Sequence, residues 1–204
     1  MNKLYNINDL KKRKFKTFPF AGKFAESFGE PETNGCWLIW GLSANGKTRF
    51  ALQLARYLAG FTKVYYNTLE EGVRLSFQKA LLDNDMEGVG NAFQFTSENF
   101  DLLVKRLEGK RPPRVAFIDS LQYLRLTVAQ YIELRERFPQ TLFIFISHAK
   151  NDQPKGSVAE AIMYDADVKV HVADFMANVQ SRFGGNKPYT VWQEGYEQRT
   201  FNNN

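Results

Sequence analysis

The sequence predicts an α/β fold: a mostly parallel central sheet flanked by helices, with antiparallel strands along its C-terminal edge. Three observations carry this. Short apolar runs alternate with helix-period segments from Cys36 onward, the pattern of repeated strand-helix-strand units. The turn Gly41-x-x-x-x-Gly46-Lys47-Thr48 stands between an apolar run and an amphipathic segment. The last three strand-like runs follow one another with no helix between them, as antiparallel hairpins do.

Taken in order, residues 1–33 begin with the cationic run KKRKFK (Lys11 to Lys16) and continue as PFAGKFAESFGEPETNG, rich in Gly, Pro and Glu. They read as a basic N-terminal arm, a lead-in or subunit-contacting segment, ahead of one domain over residues 34–204. The strands drawn are CWLIWG (36–41), KVYYN (63–67), FQFTS (93–97), RVAFID (114–119), TLFIFIS (141–147), DVKVHVA (167–173), ANVQSRF (177–183) and YTVWQE (189–194). The first five are nearly continuous in apolar residues and are expected to be buried on both faces. Between them, TRFALQLARYLAG sets Phe50, Ala51, Leu54, Ala55 and Leu58 on one helical face and stops at Gly60. ENFDLLVKRLEG repeats the design with Phe100, Leu103, Val104 and Leu107.

Bulk properties exclude several classes. At 204 residues the chain is long enough for one substantial core. No apolar run approaches the roughly 20 residues that span a bilayer, and the N-terminus lacks the apolar stretch of a secretory signal, so a cytoplasmic protein is expected. The single Cys36 cannot form an internal disulfide, and its neighbours Trp37, Leu38 and Ile39 mark it as a small buried residue. His148 and His171 are the only histidines, too few for a Cys/His metal cluster. A net charge of +5 is compatible with a nucleic-acid partner without demanding one.

The chemistry begins at Gly41. Small residues let a backbone loop wrap phosphate oxygens with N–H donors, at a helix start whose partial positive charge attracts anions. Gly41, Ser43, Ala44, Asn45, Gly46, Lys47, Thr48 and Arg49 would form this cradle, with Lys47 on the β- and γ-phosphates and the Thr48 hydroxyl on Mg²⁺. A chance match in a chain this long is about one in a hundred before the strand and helix are required. Asp119, after four apolar residues, suits a second Mg²⁺-side carboxylate, acting through a coordinated water. Glu70, ending the strand after the loop's helix, suits a general base for an attacking water, with Glu71 projecting the other way. Either glutamate could instead open the next helix.

GLSANGKT, YYNTLEEG, FIDSLQ, FISHAK and SRFGG, in this order, resemble the RecA-like ATPases, in particular the RadA/DnaB-type branch, over about residues 35–195. In size and motif wording the chain is similar to the compact forms found in prophages and mobile elements. The resemblance implies a RecA-like P-loop core, with ATP and Mg²⁺ held between adjacent subunits of a homo-oligomer and DNA, single-stranded and bound without sequence preference, as partner. It implies Lys47, Glu70 and Asp119 in the roles above, Ser120 and Gln122 as a continuation of the Asp119 motif, and His148 with Ser147 as a polar sensor of the γ-phosphate. Arg182 matches an arginine that reaches a neighbour's ATP, although Gln180 stands where the pattern has lysine. DNA contacts are expected after the Asp119 and His148 strands, at Arg125 and over Lys150 to Gly156. Two other functions stay open: an ATP-switched adaptor with little turnover, and a small-molecule kinase, which the three arginines between Asp119 and Ser147 make the least suitable.

Overall fold

The computed structural model describes residues 4–202; the first three residues of the expected arm and Asn203 and Asn204 of the terminal run lie outside them. The sheet begins with β1 (Gly35–Gly41), followed by β2 (Val64–Thr68), β3 (Phe93–Thr96), β4 (Val115–Asp119) and β5 (Leu142–Lys150). Its remaining strands are β6 (Gln153–Pro154), β7 (Val168–Ala173), β8 (Met176–Ser181) and β9 (Tyr189–Thr190). Their spatial order is β3-β2-β4-β5-β1-β7-β8-β9, with β6 folded back on β5. All pairs from β3 to β7 are parallel, whereas β7-β8 and β8-β9 are antiparallel hairpins. The expected fold class is therefore observed.

The helices are α1 (Ile7–Lys11), α2 (Gly22–Phe28), α3 (Lys47–Ala59), α4 (Leu75–Asp83), α5 (Phe100–Leu107), α6 (Leu121–Leu124), α7 (Val128–Arg137), α8 (Ser157–Asp165) and α9 (Gln193–Asn202). A 3₁₀ segment, Met86–Ala92, leads into β3. Among the described residues, no helix is long and apolar enough to cross a membrane. Alternation along each central strand divides the interior in two. Trp37, Ile39, Tyr66, Phe117 and Ile144 face α3, while Cys36, Leu38, Ala116, Ile118 and Phe145 face α5, α7 and α8. Both faces are covered, which is why these runs carry so few polar residues.

Three expectations need correction. β3 is the outer edge strand, so its Gln94 and Phe95 are exposed and it is not buried on both faces. YTVWQE pairs with β8 only at Tyr189 and Thr190; the chain then turns and winds into α9, which its pattern does not announce. The N-terminal segment is not an arm throughout. Its α1 has no buried residue, but Phe18, Phe20 and Phe28 lie in the core, and the Phe28 ring stacks on Trp37 at 5.2 Å. Burying a phenylalanine contributes about 1.5–3 kcal/mol, so these rings bind residues 18–28 to the sheet despite their Gly- and Glu-rich context.

Strand register decides what meets at the sheet's C-terminal edge. Gly41 pairs with His148, and Asp119 lies level with both Thr68 and Ile146. The ends of β1, β2, β4 and β5 thus form one rim, the usual place for a ligand in an open parallel sheet.

Candidate phosphate site

The Gly41–Thr48 turn leaves β1 and enters α3 within five residues. Gly41 has no room for a side chain, because a Cβ would overlap the Val172 carbonyl of β7. Gly46, at φ +94°, supplies the left-handed step into the helix. Ala44 also has positive φ, +59°, a conformation that costs a residue with a Cβ about 1–2 kcal/mol. Alanine therefore occupies a position whose backbone favours glycine. Asn45 is buried, while Ser43 and Ala44 are exposed at the loop's tip. The Arg49 guanidinium lies 5.0 Å over the Trp192 ring.

Lys47 Nζ donates to the Leu42 carbonyl oxygen at 2.8 Å, folded back over its own loop. Burial lowers its pKa, opposed by the charges of Glu70 and Asp119. Asp119 is only 5% exposed, and its Oδ2 accepts a 2.6 Å hydrogen bond from the Tyr66 hydroxyl on β2. Burial pushes this carboxyl up to about 6, with Glu70 and Glu71 adding to the rise and the Tyr66 bond and Lys47 opposing it. Glu71 thus contributes to the same field, whichever way its side chain projects. The Asp119 carbonyl also accepts the N–H groups of Leu69 and Glu70, at 2.7 and 3.1 Å, which fixes where the β2 strand end turns.

Glu70 Oε2 lies 2.7 Å from His148 Nε2. The His148 N–H donates to Gln122 Oε1 at 3.2 Å, and Gln122 Nε2 donates to Ser147 Oγ and the Lys155 carbonyl, both at 2.9 Å. One amide thereby ties the rim of β5 to the loop that follows it. Ser120 Oγ is buried without a hydrogen-bond partner among the described residues.

Lys47, Glu70, Asp119 and His148 are brought together. Arg182 is not. It follows β8, where Ser181 pairs with Val168 and Val168 with Trp37, four residues below Gly41. At about 3.3 Å per residue that is on the order of 13 Å from the loop along the sheet. Arg182 is exposed and ion-paired with Asp167 at 3.5 Å.

Two contributors escaped the sequence reading. Tyr66 carried a weak signal, since alternation sets it on one face of an apolar strand beside Asp119's. Arg199 of α9 carried none, yet its Nη1 donates to Asn45 Oδ1 and its Nη2 to the Ala44 carbonyl oxygen, each at 2.9 Å.

Solved structures share this architecture. The fold is that of RecA-like P-loop ATPases. The chain is similar to flagellar accessory protein FlaH from Methanocaldococcus jannaschii, with a TM-score of 0.57, 15% identity, and coverage of 86% of this chain and 84% of that one. It is similar to a DnaB-like ATPase domain, with a TM-score of 0.57, 14% identity, and coverage of 80% and 83%. A KaiC-like protein, PH0186 from Pyrococcus horikoshii OT3, gives 0.56, 19% identity, and coverage of 78% and 85%. At these identities the likeness is one of fold. A scan of protein-family models and a search of curated proteins each find no match.

Proposed function

We propose that the chain binds ATP with Mg²⁺ at the Gly41–Thr48 loop, hydrolyses it, and works on DNA as a homo-oligomer. The observation that carries this reading is the convergence of Lys47, Glu70, Asp119 and His148 on one rim of a RecA-like fold. Mg²⁺ fits the residues present. Asp119 is a buried carboxylate with no ion pair among the described residues, and one of its oxygens is taken by Tyr66. A carboxylate and the Thr48 hydroxyl, completed by phosphate oxygens, suit a hard cation. When bound, the ion neutralises charge on the phosphates.

The residues then divide the work. Lys47 leaves the Leu42 carbonyl for the β- and γ-phosphate oxygens. Glu70 accepts a proton from water as the water oxygen attacks the γ-phosphorus, and the bond to the β-phosphate oxygen breaks with its electron pair, releasing ADP and phosphate. Tyr66 fixes the Asp119 carboxylate. His148, hydrogen-bonded to Glu70, senses the γ-phosphate, and the bond from Gln122 to the Lys155 carbonyl carries that state to the loop bearing Lys150 and Lys155. Both lysines are exposed, as is Arg125, which supports a sequence-independent contact with a phosphate backbone. Arg182, remote from its own loop, would serve a neighbouring copy.

ATPase assays with and without single-stranded DNA at low salt test the reading. Weak basal turnover that rises with DNA is expected; a nucleotide-bound protein whose turnover DNA leaves unchanged contradicts the DNA role. The second reading, an ATP-switched adaptor, is favoured by one observation: Gln180 is exposed and uncharged where a second cation would stand. It predicts that ATP changes the sedimentation of the chain without turnover, and that Glu70→Gln leaves that change intact.

A further inference from the structure

The reaction scheme leaves α9 unused, although this helix, far along the chain, grips the phosphate loop directly. Arg199 Nη1 donates to Asn45 Oδ1 and to Asp174 Oδ1, each at 2.9 Å, and Nη2 donates to the Ala44 carbonyl oxygen. Its guanidinium lies 5.0 Å over the Phe175 ring. Asn45, in turn, is the hub of the loop. Its Oδ1 also accepts the Asp174 N–H at 2.8 Å, its carbonyl accepts the Phe175 N–H at 3.2 Å, and its Nδ2 donates to the Ser43 carbonyl at 3.3 Å. A second grip lies just before α9, where Trp192 meets Phe175 edge-on at 5.0 Å and sits beneath Arg49 of α3.

These contacts converge on the one loop residue held in an unfavourable conformation, Ala44 at φ +59°. A planar guanidinium can satisfy three acceptors in fixed directions, and here it binds the Ala44 carbonyl and the Asn45 side chain at once. Asp174 neutralises it, so the arrangement braces the loop without adding net positive charge for a phosphate.

We infer that Arg199 is a positioning residue: it clasps the phosphate loop in the shape that receives nucleotide, so that docking of α9 and binding of nucleotide favour each other. This rests on the nucleotide-binding reading above. The reciprocity is required thermodynamically, because both events select one loop conformation. A partner that draws α9 away would release nucleotide.

The test uses the full chain and ADP with Mg²⁺ as probe, with affinity read by calorimetry for wild type, Arg199→Ala, Arg199→Lys, Ala44→Gly and the double variant Ala44→Gly/Arg199→Ala. Arg199→Ala is expected to weaken binding about tenfold, the loss that follows when the loop is correctly shaped about a tenth of the time. Arg199→Lys should recover little of it, since one ammonium cannot reproduce the fork. Glycine accepts positive φ without the clasp, so the double variant should bind within about twofold of Ala44→Gly alone. Unchanged affinity in Arg199→Ala, or no rescue by glycine, overturns the inference; the second result would assign Arg199 directly to phosphate. Amide exchange without nucleotide provides an arm independent of the nucleotide reading. Asp174 and Phe175 amides should exchange at least about tenfold faster in Arg199→Ala and Arg199→Lys while β4 amides stay protected. If wild type binds no nucleotide, that reading fails, and equal exchange at Asp174 and Phe175 would overturn the clasp separately.

Discussion

Replacing Asp119 with asparagine should stabilise the unliganded chain, the opposite of what removing a buried charged group usually does. The carboxyl is nearly fully buried, and burial pushes it from 3.8 to about 6. The difference corresponds to about 3 kcal/mol, taking about 1.4 kcal/mol per pH unit. The sign follows from which state holds the proton. Between pH 4 and 6 the folded chain retains a proton that the unfolded chain has released, so stability falls across that interval as pH rises, and stays lower above it. Asparagine has no such slope, and its amide oxygen can still accept the Tyr66 hydroxyl. Urea unfolding followed by tryptophan fluorescence from pH 3.5 to 8 should therefore show the two proteins within about 0.5 kcal/mol at the acid end, with Asp119→Asn ahead by about 1–3 kcal/mol at pH 7.5. Other carboxylates titrate alike in both and cancel in the difference. Adding Mg²⁺ and ADP should reverse the order, because a ligand that binds the native wild type more tightly stabilises it more. A variant that is less stable than wild type at pH 7.5, or a difference that does not change with pH, would refute the reasoning.

Cys36, pushed up to about 12 by burial, should resist a thiol reagent at pH 8 in the folded chain and react fully in denaturant; prompt modification of native protein would contradict the buried environment. Mixing Glu70→Gln with Arg182→Ala subunits should restore part of the turnover each lacks alone, since some interfaces then pair an intact base with an intact arginine; mixtures no more active than their components would exclude a trans role for Arg182. Lys150→Ala/Lys155→Ala should weaken single-stranded DNA binding and reduce the salt dependence of log K by about 1.4, two contacts at about 0.7 each, with nucleotide affinity unchanged. An unaltered slope would move the DNA contact elsewhere on the surface.

What the sequence disclosed follows from how local each determinant is. β1, β2, β4 and β5 were legible because burial on both faces demands continuous apolar runs. The phosphate loop was legible because backbone wrapping demands small residues at fixed spacing. Asp119 stood out as a charge ending such a run. The helix α9 did not, since QEGYEQRTFN has no apolar stripe and is held instead by Trp192 against Phe175 and by Arg199 on the loop. The same limit hid Phe18, Phe20 and Phe28, whose burial depends on a helix and strands far along the chain. Tyr66 shows the intermediate case: alternation along β2 gives its face, but only the pairing of β2 with β4 brings its hydroxyl to Asp119. Ala44 illustrates the reverse, a residue whose identity is plain while its strain is visible only in the backbone.

The central claim, that this rim hydrolyses ATP with Glu70 as base, is tested most directly by measuring Mg²⁺-ATP affinity and turnover together in wild type and Glu70→Gln. The account predicts nucleotide affinity within about twofold of wild type and turnover at least about 10²-fold lower, the range expected for loss of a general base. Turnover at the wild-type rate in Glu70→Gln, or no ATP binding by the wild type, would contradict it.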